Sequence, residues 1–293
     1  MRDRLLRGTF PSSNLRFAVC ETRELCSEGL ARLKSDWIAG WLLSEALTCA
    51  ALLSVGLKDE ERLSLRWAYS GPVGTILADM NEKAQVRGFT QRLRLMPGVS
   101  TLDEAMGGSG KVSVVSSFPD RVGQMGITEA VFQDITRDLA HFLSLSFQIE
   151  TALAVGLIIR PEDPIHLSSA TGLLLQPLPG CDNALFNGVR EIVEHQGFRD
   201  WLEAAPRMPE EVLARLGLKE TPSILNEITP SYSCHCSREK VESVLRMLDA
   251  EELRDMLEKD GHAEINCHFC AEHYWFSGTD LQSLIEQCQA GHA

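Results

Sequence analysis

Positive charge is scarce in this chain. Its 293 residues hold 28 Lys and Arg against 41 Asp and Glu, a formal charge of −13. Binding to nucleic acid needs a net of Lys and Arg to replace the counterions of the phosphates, so a nucleic-acid platform is not expected as the primary role, while a local basic patch stays open. Aromatic residues are few at 6%, but apolar residues reach 44%, so the chain can build a core and wholesale disorder is excluded. No triplet glycine period, heptad, internal repeat or low-complexity tract is present, which removes collagen, coiled coil and solenoid. Met1-Arg2-Asp3-Arg4 is charged, but no apolar run with a small-residue cleavage site follows it, so no secretory signal is read. A Walker-type phosphate loop is missing as well: Gly107-Gly108-Ser109-Gly110-Lys111 ends in Val112, where a hydroxyl is required, and reads as a tight turn. With no Ser/His/Asp set and no paired carboxylates, the chain is not expected to be an enzyme. One stretch, Ile38 to Leu57, carries a single charge at Glu45. A lone carboxylate at mid-bilayer is costly, so the expectation is a buried core helix and no membrane partner.

What the chain does have is cysteine, nine in all. The number is odd and the chain too large to need staples, which favours a reducing compartment, the cytoplasm. Cys20, Cys26, Cys49, Cys181 and Cys288 are scattered and read as small buried hydrophobes. Cys234-His235-Cys236 and Cys267-His268-Phe269-Cys270 are two close pairs separated by 30 residues.

Periodicity places these pairs. Alternation predicts strands at Leu15–Thr22, Arg62–Ser70, Thr75–Met80, Gln85–Gln91, Lys111–Phe118, Phe147–Ile159 and Ile165–Leu175, with Pro161 and Pro164 between the last two. Helices are expected over 24–57 and over Glu129–Leu145, the latter with Val131, Ile135, Leu139 and Phe142 on one face. After Pro177-Leu178-Pro179-Gly180 the composition shifts. Asp182–Ala204 and Pro209–Leu216 read as helices with too little apolar surface for a core of their own but enough to pack on a neighbour. In the last block Ser237 can cap a helix from Arg238 to Leu248. Asp249 with Glu252 opens a second helix that ends at Gly261. Tyr274-Trp275-Phe276 reads as a short strand. Ser277 or Thr279 can cap a final helix that turns Leu281, Leu284 and Ile285 inward. The expected class is α+β: an α/β domain over 1–180, a helical linker over 181–230 and a small zinc-binding domain over 231–293.

Zinc in structural sites takes four soft ligands in a tetrahedron. Cys-x-x-Cys presents two thiolates from one tight turn, and Cys-x-Cys does so from an extended segment, where residues two apart share a face. Cys234, Cys236, Cys267 and Cys270 are therefore the candidate ligands. His235, His262, His268 and His273 crowd the same stretch and can each replace a thiol. The spacing alone leaves four readings open: a plain zinc-stabilised module, a zinc site that doubles as a redox sensor, a thioredoxin-like dithiol, and coincidental thiols. The third is weakened because the Cys-x-x-Cys does not open a helix after a core strand. The second rests on thiolates being what oxidants attack.

With these residues in view, the chain resembles the heat-shock protein 33 family of redox-regulated holdase chaperones. Cys234-His235-Cys236-Ser237, the spacer, Cys267-His268-Phe269-Cys270 and Tyr274 fit that family's signature. Looser similarity runs through Leu57-Lys58, Leu63-Ser64-Leu65, Gly71-Pro72-Val73-Gly74, Val86-Arg87-Gly88-Phe89 and Gly108-Ser109-Gly110. The departures, at Phe89, at Ser146-Phe147-Gln148 and around Ile38 to Glu45, all lie in the first part of the chain. The resemblance implies that the reduced, zinc-bound form is inactive. It implies that oxidation pairs Cys234 with Cys236 and Cys267 with Cys270, releases zinc and unfolds the last domain. It also implies that unfolding client proteins then bind without ATP, as a stress response, and that the oxidised form can be a homodimer. A constitutive zinc-stabilised protein-binding module and a thiol–disulfide oxidoreductase are the competing functions.

Overall fold

A hairpin opens the chain. β1 (Arg4–Phe10) and β2 (Leu15–Glu21) pair antiparallel through a turn in which Asn14 is left-handed, φ 49°. α1 (Arg23–Leu33) and α2 (Trp37–Ser54) follow, α2 capped by Asp36, whose Oδ1 accepts from the Ala39 N–H at 2.9 Å. Next come β3 (Arg62–Tyr69), β4 (Thr75–Asn81) and β5 (Gln85–Thr90), a meander. After it stand α3 (Leu102–Met106), the hairpin β6 (Gly110–Phe118) and β7 (Arg121–Glu129), and α4 (Ile135–Ser146). β8 (Ala152–Arg160) and β9 (His166–Pro177) lead to α5 (Asn183–Glu194), α6 (Gln196–Ala204), α7 (Pro209–Ala214), β10 (Ser223–Ile228) and β11 (Ser231–Tyr232). The last block holds α8 (Arg238–Leu245), α9 (Ala250–Lys259), the hairpin β12 (His262–Asn266) and β13 (His273–Ser277), and α10 (Gly278–Ala290). This computed structural model describes residues 2–160 and 164–290. Pro161 and the final residues of the expected last block lie outside them.

Among the described residues the strands form three sheets, ordered β10-β1-β2-β9-β8, β11-β5-β4-β3-β6-β7 and β12-β13. Helix and strand content is mixed, as the α+β reading expects. The chain divides into two compact units, Met1–Ser233 and Cys234–Ala293.

In the first unit α2 lies between the two large sheets, packed on β4 and β5 from one side and on β2, β8 and β9 from the other. A helix apolar all round belongs in such a place. It is long and apolar enough to cross a membrane, yet 83% of it is buried inside the fold. The far side of the five-stranded sheet is covered by α5, α6 and α7. Phe186, Val189, Val193, Phe198, Leu202 and Val212 from these helices pack on Leu6, Phe17, Val19, Ala154, Leu173 and Leu175 of the strands. Each such side chain contributes about 1.5–3 kcal/mol when it leaves water. The linker thus has its apolar partner in this sheet.

Several details differ from the sequence reading. β1 and β7 were not foreseen, nor was β10, which pairs antiparallel with β1 inside the expected linker. The expected helix from Glu129 begins at Ile135, because Asp134 caps it by accepting from the Arg137 N–H at 2.9 Å, and Val131 is left exposed. Asp182–Ala204 is two helices, broken where His195 turns extended, ψ 135°, and its Nδ1 accepts from the Gly197 N–H. The strand expected from Phe147 starts at Ala152, after a left-handed Gln148. Cys20, Cys26 and Cys49 are buried as expected, whereas Cys181 and Cys288 are half-buried.

One polar tie pins the linker. Arg199 on α6 reaches Asp134 at 2.9 Å, Thr136 at 2.7 Å and Glu45 on α2 at 3.3 Å. Burial pushes the Glu45 carboxyl up to about 8, with Arg199 opposing and Asp134 adding to the shift. Asp134 is also raised by burial, but Arg199 and the helix N–H groups outweigh this and hold it below the usual carboxylate range. The folded protein therefore keeps a proton on Glu45 that the unfolded chain, at about 4.5, has lost. The stability linked to that proton is complete below about 4.5 and is lost as the pH rises through about 8. Raising the pH from about 5 to about 9 is expected to lower the Tm of the wild type more than that of Glu45→Gln. Parallel Tm curves contradict this.

The linker also packs tightly on the sheet at a glycine. A Cβ on Gly156 of β8 would lie 2.3 Å from the Leu202 Cβ of α6. Gly156→Ala is therefore expected to lift α6, at a cost of about 1–3 kcal/mol, and to speed proteolysis within 181–230. An unchanged digestion pattern contradicts it.

Candidate metal centre

The second unit begins at the first cysteine pair. Residues 233–236 belong to no helix or strand, and Ser237 then caps α8, its Oγ accepting from the Lys240 N–H at 3.3 Å. Lys240 Nζ turns back to donate to the His235 carbonyl at 2.5 Å. Asp249 and Glu252 form the expected capping box of α9. Gly261, at φ 72°, ends that stretch and starts the β12–β13 hairpin. At the hairpin tip the Cys267 N–H donates to the Glu272 carbonyl at 2.9 Å, and the Cys267 carbonyl accepts from the Ala271 N–H at 2.8 Å. Ala271 is left-handed, φ 57°, which closes the turn and aims both thiols of Cys267 and Cys270 the same way. Ser277 is the cap of the last helix: its Oγ accepts from the Asp280 N–H at 3.3 Å.

The core of this unit is small. Leu245, Leu253, Phe276, Leu281, Leu284 and Ile285 are its large buried side chains. A block of this size with so few is marginal without a covalent or metal cross-link. Arg238 supplements it by stacking 4.3 Å from the Phe276 ring centre and pairing with Asp280 at 3.0 Å.

The sequence places Cys234, Cys236, Cys267 and Cys270 far apart in pairs, and the fold brings their four sulfurs within 4.8 Å of one another. Cys234 Sγ lies 3.6 Å from Cys267 Sγ, and Cys236 Sγ lies 3.3 Å from Cys270 Sγ. These are distances between free thiols. A tetrahedron of zinc–sulfur bonds of about 2.3 Å has edges of about 3.8 Å, so the donor set fits zinc in number, softness and spacing. No histidine joins the group among the described residues. His262 stacks on Trp275 at 4.0 Å, and both His262 and His273 face Glu264, at 3.4 Å and 3.3 Å.

The surroundings favour sulfur carrying charge at one point in particular. Burial raises Cys236, but the Tyr274 hydroxyl, which donates to its sulfur at 3.1 Å, together with the neighbouring thiols, brings it below the ordinary thiol value. The same bond pushes Tyr274 above the usual phenol range. Cys234 and Cys270 are raised, chiefly by burial, although backbone N–H groups of Cys236 and Glu272 donate to them. Such donors around a metal's ligands orient them and hold their charge. The sequence reading has Tyr274 in a short strand and in the family signature and assigns it no contact with a cysteine. Its hydroxyl sits 38 positions from Cys236, and no spacing rule links the two.

Comparison with known proteins agrees with this construction. A 33 kDa chaperonin of Desulforamulus reducens is 30% identical over 293 residues, covering 99% of each chain. Another, of Gloeobacter violaceus, is 31% identical and covers 99% of this chain and 97% of its own. The crystal structure of the 33 kDa chaperonin (heat shock protein 33 homolog) of Thermotoga maritima superposes with a TM-score of 0.88 over 99% of this chain and 100% of that one. At 24% identity that last likeness speaks for the fold. A family model described as Hsp33 protein matches residues 3–277, and the chain therefore belongs to the Hsp33 family.

Proposed function

We propose that this protein is an ATP-independent holdase chaperone, switched on when an oxidant attacks a zinc-bound four-cysteine centre. The observation that carries the reading is the sulfur cluster itself, four thiols within 4.8 Å of one another in a unit with a small core. The relatives' name, 33 kDa chaperonin, supports the chaperone half.

Zinc bound there would keep four thiolates deprotonated and tie the segment before α8 to the hairpin tip. Oxidation proceeds on the sulfurs. A thiolate attacks one oxygen of a peroxide, the O–O bond breaks, hydroxide leaves and a sulfenic acid remains. A neighbouring thiolate then displaces the sulfenic oxygen as hydroxide and closes an S–S bond. For each disulfide, two electrons pass from two sulfurs to one peroxide, whose two hydroxides take protons from the solvent and end as water. Closure of Cys234 with Cys236 and of Cys267 with Cys270 consumes all four ligands. A structural zinc contributes roughly 10–16 kcal/mol to folding in small modules, far more than this tail can replace from its core.

Unfolding of the tail reaches the linker through the chain. Cys234 follows β11, which is two residues long, and β10 lies just before it. Release of β10 and of α5, α6 and α7 would uncover the apolar sheet face around Leu6, Phe17, Val19 and Leu173. Exposed apolar surface of that kind binds unfolding proteins by the hydrophobic effect, with no nucleotide needed. The reading also places the protein in the cytoplasm and has the oxidised form pair as a homodimer.

One observation favours a second reading, a constitutive binding module. Val122, Met125 and Ile127 on the edge strand β7 are already exposed in the folded form. A single experiment separates the two. Zinc content and suppression of client aggregation are measured on the reduced protein and again after peroxide with mild heat. The switch predicts about one zinc per chain before oxidation, its release afterwards, and suppression only afterwards. Equal suppression by the reduced, zinc-loaded protein contradicts it and supports the constitutive module.

A further inference from the structure

The first unit contains a cavity of about 590 Å³ that the chaperone reading does not use. It opens between the two large sheets, beside the end of α2. Its volume is in the range of sites for small organic ligands. Its floor is aliphatic, with Leu52, Leu63, Leu143 and Leu174 all buried. Its mouth is basic: Arg7, Arg16, Lys58 and Arg121 line it, against one carboxylate, Glu61. In a chain of net charge −13 such a grouping calls for a reason.

Arg7 and Arg16 stand on the same face of the β1–β2 hairpin. Arg7 pairs with Ala18, two residues from Arg16, and Ala18 and Leu5 on that face belong to the core. Both arginines therefore project from a face whose neighbouring side chains lie in the core, and both stay exposed at the mouth of the cavity. Among the described residues neither forms an ion pair, while Arg4 next to them forms two. Their hydrogen bonds go to neutral groups: Arg7 donates to the Val55 carbonyl and Arg16 to Gln176 Oε1, both at 2.8 Å. Burial, and Arg7 after it, pull Arg16 below the usual arginine range. Glu61, the one carboxylate of the lining, accepts from the Lys58 N–H at 3.0 Å and forms no ion pair with either arginine among the described residues.

The polar groups of the lining decide what kind of anion fits. Gln176 accepts from Arg16 and donates to Thr151, and Ser116 Oγ accepts from the Gln124 N–H. These groups are engaged with one another. A peptide would bring an N–H and a C=O per residue into this space and leave them unpaired, at a cost of about 1–3 kcal/mol each. An acyl chain brings none. We propose that the cavity binds a fatty-acid anion, with the carboxylate on Arg7 and Arg16 and the chain along Leu52, Leu63, Leu143 and Leu174. Arginine and carboxylate meet in a bidentate, charge-assisted pair, which fixes the head, and burial of the chain supplies the rest.

The test is a calorimetric titration of the full-length, reduced protein with sodium laurate, dodecanol and an acidic unfolded polypeptide. Laurate is expected to bind at one site per chain with a negative heat-capacity change. Dodecanol is expected to bind at least about tenfold more weakly. Arg16→Gln, at an exposed position, is expected to weaken laurate by about tenfold while zinc content and Tm stay at wild-type values. Leu174→Ala provides an independent check on the chain contacts and is expected to weaken laurate and dodecanol alike. The proposal is overturned if laurate does not bind, if Arg16→Gln and wild type bind it equally, or if the polypeptide displaces it. The reduced form is used throughout, so the result is independent of the redox switch.

Discussion

Four sulfur atoms stand in for a core that the tail of this chain does not have. Among the described residues, the block from Cys234 onward folds around six large buried apolar side chains, while the first unit is built on two extensive clusters. Its three helices are capped and its hairpin is regular, but caps and turns contribute about a kilocalorie each and cannot replace a core. Bringing Cys234 and Cys236 to Cys267 and Cys270 closes a loop that carries α8, α9 and β12, so a metal held there would tie most of the block together. The same choice of ligand makes the tie chemically fragile. Sulfur binds zinc well because it is a soft thiolate, and a soft thiolate is what a peroxide attacks.

The linker adds a second layer to this logic. Its helices are not a free connector: they cover one face of the five-stranded sheet over β1, β2, β8 and β9, and α2 packs on the other. A sheet apolar on both faces is stable only while both are covered. The cover carries charged ties on its outer side, Arg190 to Glu150 and Arg4 to Glu210 and Glu227, which are weak in water. The Arg199 contact with Glu45 and Asp134 is different, because it is drawn into the protein. Removing a partner there leaves a charge stranded, so this pin holds the cover in a single register.

Much of this could be read from residues alone, for a definite reason. Metal ligation demands particular side chains at particular spacings, so Cys234, Cys236, Cys267 and Cys270 stood out without any structure. Strands buried on one face, such as β3 and β4, show alternation and were read correctly. β1 was missed because Leu5 and Leu6 are both buried, one in each core, so alternation is lost. β7 and β10 were missed for the opposite reason: each is an edge strand exposed on nearly every residue. The role of Tyr274 was out of reach because the contact with Cys236 is made by the fold, not by any local period. So was the cavity at the end of α2, whose lining comes from seven strands and two helices.

The central claim is that four thiolates of this chain, and no other groups, hold the metal. X-ray absorption at the zinc edge of the reduced protein counts the ligands directly. The account predicts four sulfurs at about 2.3 Å and no lighter atom in the shell. A nitrogen or oxygen ligand at about 2.0–2.1 Å in place of any sulfur would contradict it.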